Sequence, residues 1–242
     1  MRTILNYFHP INKLKRERER YLATHKVPDN IKALLSAPLP NLDDDIFSLD
    51  YLSIDFETSG FDPEQDSLLS VGYLPLIQQQ LLLCKAVETF INSAENIKAE
   101  TAVINHIVPE MLEQGQPWSL VMDTLLAELV GKVIIVHGST VEKRFLNHYI
   151  AKNYNLPPLP LLWVDTLQLE KSLHMYKGES GNDDFRLASI RFRHNLPEYS
   201  AHGALIDSLA TGELYLALLK ICFEGTSSSV RHMKFDLRGG FK

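Results

Sequence analysis

Tyr51 to Gly60 reads YLSIDFETSG and sets two carboxylates close together. Leu52, Ile54 and Phe56 alternate with Ser53, Asp55 and Glu57. That is the period of a β-strand, so Asp55 and Glu57 project from one face. Thr58-Ser59-Gly60 then breaks the pattern into a turn. Two neighbouring carboxylates on a half-buried strand repel each other and are costly to bury unpaired. A multivalent cation relieves that cost; exposure on an edge strand avoids it. The pair alone leaves both readings open.

Further acids recur downstream. His137 to Leu146 reads HGSTVEKRFL and carries Glu142 just after an apolar run; His202 to Asp207 reads HGALID. A separation of five residues turns His202 and Asp207 apart on one continuous helix. They converge only if His202 lies in the loop before a helix that carries Asp207, and Ser200, Ala201 and Gly203 suit such an entry.

The elements that must position these residues follow from hydrophobic periodicity. Residues 1–45 read as an N-terminal extension, with a charged helix over Lys13–Leu22 that reads as a solvated face and an apolar start of Ile4, Leu5, Tyr7 and Phe8 that could dock on the main domain. Residues 46–222 form that domain, and 223–242 a tail. Three strands are expected at Tyr51–Glu57, Ser67–Leu76 and Gln80–Ile91, joined by short antiparallel connections. Helices follow over Ala99–Asn105 and Trp118–Val130. Val133–Val136 reads as a buried central strand, with a helix after it. Leu161–Val164 is another strand, and Asp165 an N-cap for the helix from Thr166, with Gln168 as its capping-box partner. Phe185–Arg193 and Ala204–Cys222 complete the helices. The fold class is α/β: a mixed sheet of three antiparallel strands, then alternating helix and strand, covered by helices on both faces. Lys143, Arg144, Arg186 and Arg191 could touch phosphates, a solvated helix residue being the plainer reading of each, and His137 reads as a packed or hydrogen-bonded core residue.

Composition narrows the class. A net charge of -6 excludes a broadly basic protein that coats nucleic acid, but not one that meets it in a local cleft. Cys84 and Cys222 form no zinc spacing and no disulfide framework, which fits a reducing compartment. No apolar run reaches the length of a membrane span and no signal-peptide core opens the chain, so the expected location is cytoplasmic, with no membrane partner.

Taken in order, DFETSG, HxxxxExxFL and HxAxxD resemble the three motifs of the DEDDh class of 3′-5′ exonucleases, nearest to the branch of the DNA polymerase III epsilon subunit. Val164 to Thr166 (VDT) and Asn105 to Ile107 (NHI, where the family often has HGI) add to the match, which spans about Leu49 to Leu219. The resemblance implies a ribonuclease H-like fold and release of 5′-mononucleotides from the 3′ end of single-stranded DNA or RNA, with DNA favoured and a polymerase or another protein as partner; the sequence itself shows no polymerase-binding or clamp-binding segment. It implies that Asp55, Glu57, Glu142 and Asp207 hold two divalent cations, Mg²⁺ or Mn²⁺, whose hard charge suits oxygen ligands. His202 takes the role of general base. Thr58 lies where the family meets the terminal nucleotide, and Phe145 flanks that pocket; a turn residue and a core aromatic are the plainer readings of the two. The sequence departs from the pattern twice. Glu142 stands where the family has Asp, keeping the charge on a longer arm, and the family's His-Gly is displaced at Asn105-His106. A catalytically impaired module that binds nucleic acid or a polymerase is the alternative.

Overall fold

Eight residues at the centre of the sheet are nearly all withdrawn from water. Tyr51–Thr58 forms β1, and its Leu52, Ile54 and Phe56 enter one core while Tyr51 enters another on the opposite face. The computed structural model describes residues 6–92, 107–178, 184–199 and 203–235. The helix expected over Ala99–Asn105, and Asn105-His106, lie outside these residues.

β1 pairs antiparallel with β2 (Leu68–Ile77) and parallel with β5 (Val133–Val136), which pairs parallel with β6 (Trp163–Asp165). The far edge of β2 is shared by β3 (Gln80–Leu81) and β4 (Val87–Phe90), both antiparallel. The third strand expected over Gln80–Ile91 is therefore two. Gln78 and Gln79 both take positive φ, 49° and 61°, the geometry of a tight hairpin turn. A 3-10 turn at Leu83–Lys85 then lifts the chain off the sheet before β4.

Helices cover both faces, as the alternating apolar pattern requires. α2 (Asp29–Ser36), α4 (Trp118–Glu128) and α5 (Thr140–Tyr154) share the core of Leu52, Ile54 and Phe56. α1 (Pro10–Thr24), α6 (Thr166–Lys177), α7 (Leu187–Arg193) and α8 (Ala204–Cys222) bury residues with Tyr51, Val133 and Val164. A short α3 (Pro109–Glu113) precedes α4.

The N-terminal segment is stitched to this body. Ile11 and Leu14 are buried in the second core, and the Tyr21 hydroxyl donates to Pro157 O at 2.7 Å. Arg18, expected on a solvated face, is buried and donates to Pro160 O and Ala37 O. Of the expected docking residues, Tyr7 and Phe8 are exposed, and Ile4 and Leu5 lie outside the described residues. The tail returns to the same region, with Val230 buried, its N–H donating to Asp44 O, and Arg231 paired with Asp43 at 2.7 Å.

Candidate active site

The carboxylates converge because a glycine lets a helix settle on the sheet. Asp55 on β1 faces Gly72 on β2, and Gly72 faces Glu88 on β4. A Cβ at Gly72 would lie 2.1 Å from Ala204 C and 2.2 Å from Leu205 N, so only glycine admits the first turn of α8 at this depth. The Ser53 hydroxyl donates to Ser208 O at 2.6 Å and ties the next turn to β1. α8 starts at Ala204 after an extended Gly203, so the helix that carries Asp207 begins beyond His202, as convergence requires. His202 itself lies outside the described residues.

Asp55, Glu57 and Asp207 each offer a carboxylate oxygen within 4.8 Å of the others. The β1–β2 register shifts between Glu57 and Thr58, and such a bulge re-aims side chains at a strand end. Burial, then the charges of Glu142, Asp207, Glu57 and Glu88, push the Asp55 carboxyl well above its ordinary range. Glu57 is pushed up to about 7 by burial and by Asp207 and Glu88. Glu88 is thus a further acid of the cleft. It is exposed, and its Oε1 accepts a long, 3.5 Å hydrogen bond from Leu205 N at the helix start. No spacing in the sequence marks it; only the pairing of β4 with β2 brings it into line.

Glu142 projects from the first turn of α5. The turn before it is locked by Asp165, whose carboxylate accepts from Gly138 N at 2.9 Å and Ser139 N at 3.0 Å, as well as capping α6 through Leu167 N. Asp165 therefore does more than the capping expected of it. His137 bonds Phe185 O through Nε2 and the Thr166 hydroxyl through Nδ1, and its burial lowers its pKa. Glu142 is only 4% exposed, and its Oε2 has no hydrogen-bond partner. Burial pushes it up to about 8. It stands outside the close group of three, although its charge bears on Asp55. The donor set is all carboxylate oxygen, with one buried oxygen unsatisfied, which fits hard divalent cations.

Thr58 is half-buried at the strand end, where its hydroxyl donates to Gly60 O at 2.7 Å and shapes the turn. Phe145 is 2% exposed in the first core and touches a neighbouring cavity with His148 and Lys152. Arg144 and Arg186 are exposed, as expected. Lys143 and Arg191 are not: each is 4% exposed, Lys143 beside the Trp163 ring and Arg191 bonded to Ala210 O, Pro197 O and Glu213. Periodicity marks the face of a residue, and not the polar partners that pay for its burial.

Comparison with known proteins agrees with this geometry. The profile of the RNase T family, described as exonuclease, matches residues 52–215, from β1 to the middle of α8. The chain belongs to the RNase T family of exonucleases. The mixed ribonuclease H-like sheet and the 3′-5′ exonuclease class expected from the three motifs are those of this family. A PolC-type DNA polymerase III of Thermotoga petrophila is 28% identical over 71% of the chain. The chain spans 12% of that relative's length. The DNA polymerase III epsilon subunit of Rickettsia conorii is 26% identical over 71% of this chain and 74% of its own. Among solved structures, E. coli exonuclease I with a dA16 oligonucleotide superposes at a TM-score of 0.61, with 15% identity, over 72% of this chain and 41% of that one. No described helix is long and apolar enough to cross a membrane.

Proposed function

We propose that this chain removes nucleotides one at a time from the 3′ end of single-stranded DNA, in the service of a polymerase, using two Mg²⁺ or Mn²⁺ ions. The observation that carries the reading is the convergence of Asp55, Glu57 and Asp207 within 4.8 Å, beside the buried, unsatisfied Oε2 of Glu142. Asp55, Glu57 and Asp207 are the principal ligands, and Glu142 completes the set on its longer arm. When bound, the ions supply Lewis-acid activation of water and charge stabilisation at the phosphodiester. His202, just ahead of Gly203 and α8, takes the proton of the attacking water. Thr58 and the turn after it meet the terminal nucleotide, and Phe145 backs that site from the core.

The test uses purified protein and matched 5′-labelled DNA and RNA oligonucleotides, single- and double-stranded, with Mg²⁺, Mn²⁺ or EDTA. Stepwise shortening from the 3′ end with either metal, fastest on single-stranded DNA, is the expected result. Tight binding with no trimming in either metal supports the impaired-module alternative instead.

A further inference from the structure

Next to the carboxylates runs a groove of about 520 Å³ between α7 with the chain after it and α8, and Asp207 and Ala210 form part of its wall. Its walls are braced from within. Arg191 is buried beneath them and donates to Ala210 O at 2.6 Å, to Pro197 O at 2.8 Å and to Glu213 at 2.8 Å. The same guanidinium lies 4.7 Å from the Tyr199 ring centroid, and the Tyr199 hydroxyl donates to Glu213 at 2.8 Å. The tyrosine is therefore held in one orientation before any ligand arrives.

The rim carries two exposed side chains. Phe192 is 83% exposed, although its neighbours Ile190 and Arg191 are buried. The Arg186 side chain is 85% exposed and is steadied by Asp184, with Nε 2.8 Å from Oδ2. Two aromatic rings and an apolar floor of Leu187 and Pro197 are groups that stack bases, and the Arg186 guanidinium, shared with Asp184, is the exposed cation of a lining that also holds Glu198. A net charge of -6 provides no general attraction for a polyanion, so recognition must be local. Asp207 lines this groove and also belongs to the carboxylate cleft, so the two adjoin. A strand whose terminal phosphodiester sits at Asp207 leads its preceding nucleotides away along an adjoining surface.

We infer that this groove binds one or two nucleotides of a single strand immediately 5′ of the scissile phosphodiester, with bases against Phe192 and Tyr199 and a phosphate near Arg186. The inference rests on the exonuclease reading above. Wild type, Phe192→Ala and Arg186→Ala are compared in two ways. Fluorescence anisotropy in Ca²⁺ follows binding of a labelled oligo(dT) of about ten nucleotides. Steady-state hydrolysis compares that oligonucleotide with the p-nitrophenyl ester of thymidine 5′-monophosphate, which carries a single nucleotide. Each variant is expected to weaken oligonucleotide binding about five- to tenfold, and to lower the ratio of oligonucleotide to ester kcat/KM by a similar factor. Wild-type affinity in both variants, or equal losses on the two substrates, overturns the groove. If wild type hydrolyses neither substrate, the exonuclease reading fails instead. The anisotropy series then still decides the groove, because both substitutions are on the surface and leave the core intact.

Discussion

Glu170 on α6 and the carboxylates at the end of β1 are both withdrawn from water, and their surroundings differ in sign. Glu170 is 2% exposed, and its oxygens meet His194 Nε2 at 2.8 Å, His174 Nε2 at 3.2 Å and Arg193 Nη2 at 3.3 Å. Burial alone would raise its pKa; His194 and Arg193 outweigh that and hold it below the ordinary carboxylate range. Asp55, Glu57 and Glu142 are shifted the other way, by burial and then by the charges of surrounding acids, Asp165, Asp207 and Glu88 among them. The first group carries its counter-charges on the chain and joins α6 to the end of α7. In the second, Lys143 lowers Glu142 without outweighing its burial, and no cation among the described residues offsets the shifts of Asp55 and Glu57. A buried acid that the chain neutralises is structural, and a cluster that it leaves short of positive charge is a place for cations.

The largest effect expected from this contrast is on catalysis. Asp55→Ala lowers oligonucleotide trimming by about 10³-fold, while circular dichroism stays that of the wild type. Glu142→Gln follows, with a loss of about 10- to 100-fold. Glu142→Asp keeps activity or raises it, and a complete loss there contradicts the placing of Glu142 among the ligands.

Stability separates the two groups by sign. Glu170→Ala leaves the partly buried His174, Arg193 and His194 without their carboxylate and costs about 2 kcal/mol, or roughly 4–8 °C in Tm. Asp55→Asn removes a repulsive buried charge and raises Tm by about 2–4 °C without metal. If both substitutions lower Tm equally, the distinction between the groups fails.

The smallest effect is a pH dependence. Raised carboxylate pKa values mean that the folded state holds more protons than the unfolded state between the ordinary range and the folded values, about 7 for Glu57 and about 8 for Glu142. Metal-free stability therefore falls as pH rises through that window. Divalent cations compete with those protons, so the Tm increase on adding Mn²⁺ grows from about pH 6 to about pH 8. Differential scanning fluorimetry at fixed ionic strength checks this, and a metal increment independent of pH breaks the link between the raised pKa values and cation binding.

Much of the site was legible because its information is local. Alternation along Tyr51 to Glu57 places Asp55 and Glu57 on one face, and the structure keeps them there. The break before α8 was equally readable from Gly203. What escaped depends on pairing between distant strands. Glu88 joins the cleft only because the turn at Gln78-Gln79 sends β4 back along β2, and Gly72 matters only because α8 rests on it. Charged side chains were the other weakness. Arg18, Lys143 and Arg191 are buried through carbonyl, carboxylate and ring partners that no periodicity marks.

The central claim is tested most directly by a 5′-labelled single-stranded DNA incubated with Mn²⁺ and either wild-type protein or Asp55→Ala purified in parallel. A ladder shortening by single nucleotides from the 3′ end with wild type, absent with Asp55→Ala and with EDTA, is the predicted result. No shortening by wild type, or equal shortening by both proteins, contradicts the account.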